Sequence, residues 1–168
     1  YVVRCLNTGK ICLFTDGGKM HQVKVPDLPY GKFRDKGTPI DNVSNYSSAE
    51  EQIVMVCDAE QMRFAKLLFA TKQGMIKRVE GTEFQVAKRT IAATKLQEED
   101  ALIGVWVVNE IQHAVRVRGI RLQKNDELEQ VYLFEEGTES KVMYGEKEVT
   151  LNRLKLAKRD GTGTKSRN

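Results

Sequence analysis

Basic side chains are the residues of this sequence best placed to do chemistry, and that chemistry is the neutralisation of phosphate. Twenty-seven lysines and arginines face twenty-three carboxylates, a formal charge of only +4, so placement matters more than total. One group is Gly31-Lys32-Phe33-Arg34-Asp35-Lys36-Gly37, and the corresponding stretch of the next unit is Ala87-Lys88-Arg89-Thr90-Ile91-Ala92-Ala93-Thr94-Lys95. A third is Arg116-Val117-Arg118-Gly119-Ile120-Arg121. Residues 152–168 hold six Lys or Arg against one Asp, with Gly161 and Gly163 expected to keep that backbone flexible. Acidic residues crowd 126–148 instead, eight of them against two lysines. Each group alone resembles an ordinary solvated loop. Recurring between strands, they would line a rim with the charge pattern that a duplex phosphate backbone requires. The candidate DNA-binding residues are Lys32, Arg34, Lys36, Lys88, Arg89, Lys95, Arg116, Arg118, Lys158 and Arg159.

Covalent chemistry has few candidates. His21 and His113 are the only histidines, and both read as structural or surface residues. No serine or cysteine has an evident histidine partner, and two distant histidines make a poor metal site. No catalytic residue and no metal ligand is assigned. Asp16-Gly17-Gly18 and Lys72-Gln73-Gly74 read as hairpin turns, since a strand follows where a phosphate-binding helix would have to begin. Trp106 lies in an apolar run and reads as core. Cys5, Cys12 and Cys57 contain no CxxC pair, and each lies in or beside an apolar strand, so buried, reduced thiols and a reducing cytosol are expected.

The elements that must position the basic groups are β-strands in repeated units. Ile11-Cys12-Leu13-Phe14-Thr15-Asp16-Gly17-Gly18-Lys19-Met20 is echoed by Leu67-Leu68-Phe69-Ala70-Thr71-Lys72-Gln73-Gly74-Met75-Ile76. Thr15 and Gly18 recur as Thr71 and Gly74, 56 residues on. A worn third copy runs from Val131 through Gly137 to Lys141-Val142-Met143-Tyr144. A second string, Leu96 to Val105, matches Leu122 to Val131 in its Leu, Asp, Leu and Val positions. A period near fifty with hairpin character indicates blades of a propeller-like array. Three blade-like units fit, about 1–57, 58–108 and 109–168, in one domain. His21, Val23 and Val25 alternate with Gln22 and Lys24 as in a strand with one covered face. Val54-Met55-Val56-Cys57 and Ile103 to Val108 read as inner strands covered on both faces. Pro26, Pro29 and Pro39 share one connection, and short helical turns fit Ser47–Glu51 and Ala59–Met62. The class is all-β, built from antiparallel four-stranded blades.

No apolar run reaches membrane-spanning length, and no membrane partner is expected. The chain opens on Tyr1-Val2-Val3, as if in mid-strand, and reads as a piece of a longer polypeptide.

The strings LFATKQGMIKRV, VAKRTIAATKL and AVRVRGIRLQKNDELEQVYLF, with the terminal LNRLKLAKRDGTGTK, resemble the C-terminal domain of the A subunit of bacterial type IIA topoisomerases. The resemblance implies a β-pinwheel, about three blades or a partial ring, in which neighbouring blades exchange strands and duplex DNA bends around a basic rim. It implies that the catalytic tyrosine belongs to an upstream breakage-reunion domain of the same polypeptide, and that this chain itself uses no cofactor. ATP and Mg would be used elsewhere in the enzyme, together with a B subunit in a heterotetramer, in the bacterial cytoplasm at the nucleoid. Two departures stand out. Where gyrases carry a box of the form QRRGGRG, this chain has Gln85-Val86-Ala87-Lys88-Arg89-Thr90, which favours the topoisomerase IV type. Between Val108 and Val115 a further glycine-turn hairpin of the family is missing. The competing expectation is a propeller-type protein-interaction scaffold, which needs no basic rim.

Overall fold

The computed structural model describes residues 2–109, 116–118, 127–128, 131–134, 141–144, 147–150, 152–153 and 156–165. The first repeat folds as the expected hairpin, β1 (Lys10–Thr15) with β2 (Lys19–Lys24). β3 (Ile53–Asp58) pairs with the other side of β1. The second repeat builds the same hairpin from β4 (Ala65–Thr71) and β5 (Met75–Glu80).

Turn chemistry explains the identity of the two hairpins. The Gly18 amide donates to the Thr15 carbonyl at 3.0 Å, and Gly74 to Thr71 at 3.0 Å. Both glycines have positive φ, +75° and +86°, as the third position of such a connection demands. A polar strap ties each turn to the next strand. Asp16 Oδ1 accepts from the Gln52 amide at 2.9 Å, and in the second unit Asp100 Oδ1 accepts from the Gln73 amide at 2.9 Å.

Each sheet is completed by a strand that arrives later in the chain. β6 (Thr90–Ala92) follows the second hairpin yet pairs with β2, giving the order β3-β1-β2-β6. β7 (Leu102–Asn109) pairs with β4. Next in the chain come β8 (Arg116–Arg118), β9 (Tyr132–Phe134), β10 (Lys141–Tyr144), β11 (Lys147–Thr150), β12 (Asn152–Arg153) and β13 (Thr164–Lys165). β13 pairs with β5, so the second sheet runs β13-β5-β4-β7. Blades of four antiparallel strands that exchange an edge strand make this an all-β pinwheel. Sheet membership therefore crosses the sequence boundaries of the blade-like units.

The third copy departs from the expected hairpin. β9 pairs with β8 in a sheet of order β12-β8-β9, and β10 pairs with β11. The second copy of the Leu-Asp-Leu-Val string lies mostly outside the described residues.

One apolar core joins the two four-stranded sheets. Phe14 of the first meets Phe69 and Phe84 of the second unit edge-on, with ring centroids 5.8 and 5.7 Å apart, and Phe69 stacks on Phe84 at 5.7 Å. Met20, Met62, Leu67, Val79, Leu102 and Val105 close around them. Met62 comes from α1 (Ala59–Arg63), a single turn whose first residues are capped by the Asp58 carboxylate accepting from the Gln61 amide. Gly81 must be glycine here, since a Cβ would stand 1.8 Å from the Met62 carbonyl oxygen.

Several expectations are corrected. β3 and β7 are edge strands, not inner ones: β3 is only partly buried over most of its length, and Val107 of β7 is exposed. Their apolar side chains are divided between clusters: Val54, Met55 and Val105 pack on the core between the two sheets, Ile53 and Val56 against Leu13, Val23 and Tyr46, and Ile103, Trp106 and Val108 around Leu68 and Ile76. His21, Gln22 and Val23 are all buried, because both faces of β2 are covered. Cys12 and Cys57 are buried free thiols, and burial pushes Cys12 up to about 12, but Cys5 is exposed. Trp106 is half-buried, packed against a second cluster with Leu68, Ile76 and Val108. Residues 2–6 form no strand. Among the described residues no helix is long and apolar enough to cross a membrane.

Candidate nucleic-acid interface

Lys88, Arg89, Lys95, Lys158 and Arg159 sit where exchanged strands enter, and buried polar side chains hold those entry segments by the backbone. Gln22 on β2 does this for the first sheet. Its side-chain amide donates to the carbonyls of Val86 at 2.9 Å and Lys88 at 2.7 Å, and its backbone amide donates to the Arg89 carbonyl at 2.7 Å. β6 follows, and then Ala93 and Thr94 donate to the Gly18 carbonyl at 2.8 and 3.2 Å. With its backbone fixed at both ends, the segment leaves Lys88, Arg89 and Lys95 exposed. Arg89 makes a loose surface pair, 3.6 Å from Asp27 at the foot of the connection carrying Lys32, Arg34 and Lys36. Those three are exposed.

Lys77 on β5 does the same for the second sheet. Only 2% exposed, its ammonium donates to the carbonyls of Arg159 at 2.6 Å, Gly161 at 2.8 Å and Lys158 at 3.3 Å. It also stands 5.3 Å from the centre of the Phe69 ring. Glu83 accepts from the Arg159 amide at 2.6 Å, and Gly161 accepts from the Lys95 amide at 3.4 Å. Lys95, Lys158 and Arg159 are thereby brought together across two units. Lys158 is exposed; Arg159 is half-buried, its guanidinium donating to the Ala92 carbonyl. Gly161 and Gly163 do not loosen this stretch. Gly163 has φ +91°, and a Cβ there would stand 2.7 Å from the Ile76 carbonyl oxygen, so it permits a close approach to β5.

The two anchored segments share a string, Ala87-Lys88-Arg89 and Ala157-Lys158-Arg159. The repeated string marks the two segments in the sequence, but the buried Gln22 and Lys77 that hold them carry no local signal. Arg116 and Arg118 lie at alternate positions of β8, hence on one face of it; their side chains fall outside the described residues.

The histidine reading holds for His21. Its Nε2 lies 2.6 Å from Glu51 Oε1 and its Nδ1 lies 2.9 Å from Thr90 Oγ1, while Thr15 donates to Glu51 Oε2. This buried chain ties the exchanged β6 to the first hairpin and has no open position for a substrate. His113 lies outside the described residues. Among those described, no group of three His, Cys, Asp or Glu side chains could hold a metal.

Lysine burial makes a prediction. Burial pulls Lys77 down from 10.5 to about 8, while Asp160 and Glu83 pull it upward. Lys77→Met should strand three carbonyls and cost about 2–3 kcal/mol at pH 7 in a urea melt. Between about pH 8 and 10.5 the unfolded chain holds a proton that the folded chain has lost. Wild type should therefore gain stability over the variant as pH rises through that window. An unchanged melt at pH 7 would mean that the 158–161 segment is held by other contacts.

Residues 65–109, from β4 to the end of β7, match the family model described as the DNA gyrase C-terminal domain, beta-propeller. The chain is 37% identical over 97 residues to the DNA gyrase A protein of Lawsonia intracellularis, a match covering 56% of this chain and 12% of that protein. It is 37% identical over 92 residues to the DNA gyrase A protein of Neisseria gonorrhoeae, covering 54% of this chain and 10% of that one. The chain thus spans about a tenth of the curated relatives it matches. Among solved structures, the C-terminal domain of DNA topoisomerase IV superposes with a TM-score of 0.67 at 17% identity, over 95% of this chain and 58% of that one. The E. coli ParC C-terminal domain gives 0.63 at 13% identity, over 95% and 77%. At such identities these likenesses establish the fold, and the fold is the β-pinwheel.

Proposed function

We propose that this chain, a β-pinwheel of the kind that forms the C-terminal domain of gyrase and topoisomerase IV A subunits, binds duplex DNA on its basic rim and bends it. The observation that carries this reading is the repeated Ala-Lys-Arg segment. Twice, a strand-exchange segment has its backbone fixed from below by a buried side chain, Gln22 or Lys77, while exposed basic side chains remain on it. Fixed backbones carrying solvent-facing cations suit phosphate contact and lack an element for reading base edges. The working residues are Lys32, Arg34, Lys36, Lys88, Arg89, Lys95, Lys158 and Arg159, with Arg116 and Arg118 of β8 as further candidates.

In the complete protein the domain would steer strand passage by a type IIA topoisomerase. The catalytic tyrosine would lie in an upstream breakage-reunion domain, and ATP and Mg would be handled there and by the B subunit, in the cytoplasm at the nucleoid. The topoisomerase IV type fits better than gyrase. Ala87, Thr90 and Ile91 occupy the neighbourhood of the glycine-rich gyrase box, and two of them are β-branched and stiffer than a glycine backbone. Bending over some thirty base pairs costs on the order of several kcal/mol, and a stiff, short contact offsets less of it than a long compliant one.

Ligation of nicked circular plasmid in the presence of the chain tests both levels. DNA should be bound and bent without a unidirectional linking-number shift, and Lys88→Glu with Arg89→Glu should weaken binding at least tenfold for every sequence, with melting changed by less than about 0.5 kcal/mol. A marked one-directional shift growing with protein concentration would replace topoisomerase IV by gyrase. A double variant that binds normally would remove these residues from the interface.

A further inference from the structure

The connection between β2 and the turn at Ile40–Asn42 carries two bare aromatic rings. Tyr30 is 100% exposed and Phe33 105% exposed, amid Lys32, Arg34 and Lys36. An exposed phenylalanine at a loop tip gains nothing for the fold. The tip is nevertheless built. Residues 32–35 form a turn closed twice, by the Asp35 amide donating to the Lys32 carbonyl at 3.0 Å and by the Lys32 amide donating to Asp35 Oδ2 at 2.6 Å. Asp35, the one carboxylate among these cations, is thereby occupied with backbone. Phe33 and Arg34 occupy the two central positions of the turn, and both are exposed.

We propose that Phe33, with Tyr30 beside it, is an apolar wedge that enters a base step of duplex DNA and kinks it. This rests on the DNA-binding reading above and adds the means of bending to it. Charge selects the occupant: Lys32 and Arg34 flank the ring on either side, and Lys36 follows, so phosphates on both sides of a groove can be held while the ring faces the bases. Apolar side chains inserted in this way unstack a step and kink the duplex by roughly 20–90°. The cost of unstacking is met by removing the ring from water and by the additional phosphate contacts that the kink allows. Through Arg89 and Asp27 the foot of this loop adjoins the anchored Lys88–Arg89 segment, so wedge and rim belong to one continuous path.

The test uses the whole chain and a forty-base-pair duplex labelled at both ends for energy transfer. Wild type should bring the ends closer on binding. Phe33→Ala should lose most of that change and weaken duplex affinity about tenfold, with the slope of affinity against salt unaltered, because the phosphate contacts remain. Phe33→Leu, still an apolar wedge, should restore most of the bend. An alanine variant that binds and bends like wild type would overturn the wedge and leave rim binding standing. So would a loss seen only with an unpaired oligonucleotide, or only with phosphatidylserine vesicles, which would assign the ring to base stacking or to a lipid surface. Failure of wild type itself to bind the duplex would instead overturn the DNA-binding reading.

Discussion

Phe14→Ala should lower the stability of the domain by about 3–5 kcal/mol, the usual cost of truncating a phenylalanine in a closed core. Phe14 is fully buried and is the ring through which the first sheet touches Phe69 and Phe84 of the second unit. Its loss leaves a cavity at the joint between two blades, where neither sheet can collapse without shifting strands that it shares with its neighbour. The whole domain should therefore be weakened together. Trp106 lies on β7 in the second sheet and reports that blade by fluorescence, while far-ultraviolet circular dichroism reports both. In urea the two signals should move to lower midpoints together. A shift in dichroism with Trp106 unmoved would show that the blades fold independently and that the aromatic cluster is not their joint. Phe33→Ala, at a site with no packing to lose, should change the same melts by less than about 0.5 kcal/mol.

The sequence makes the hairpins legible because their determinants are local. Thr15, Gly18, Thr71 and Gly74 mark turns whose geometry depends on a few adjacent residues, and the resemblance then supplies the pinwheel. What it conceals depends on residues distant in the chain. β6 and β13 are three and two residues long, too short for any periodicity, and their pairing is set by hairpins that fold elsewhere. An alternation of His21 with Gln22 predicts one covered face, but the incoming 86–90 segment covers the other. Apolar runs in β3 and β7 suggest enclosure within a sheet, whereas both strands are edges whose side chains pack on clusters built by distant residues. Lys77 in a strand reads as a solvent-facing cation. Its acceptors lie 81 to 84 residues further on, so only the folded chain reveals it as an anchor. Of the candidate interface, the exposed lysines and arginines are visible in the sequence, while the side chains that hold them in place are not.

Engagement of duplex phosphates by the rim has a second large consequence, a steep dependence on salt. Each phosphate neutralised releases condensed counterions, so contact with about five to eight phosphates gives a slope of log affinity on log salt near −5 to −7. Between 50 and 200 mM salt the affinity should fall by about three to four decades. Specific hydrogen bonding to bases would add affinity without this slope, and a protein-interaction scaffold would not show it with DNA. Fluorescence anisotropy of a labelled forty-base-pair duplex, titrated with the chain across that salt range, measures it directly. The plot should be linear with a slope of about −6, the same for unrelated sequences. Affinity that stays flat across the range, or is absent at low salt, would contradict it.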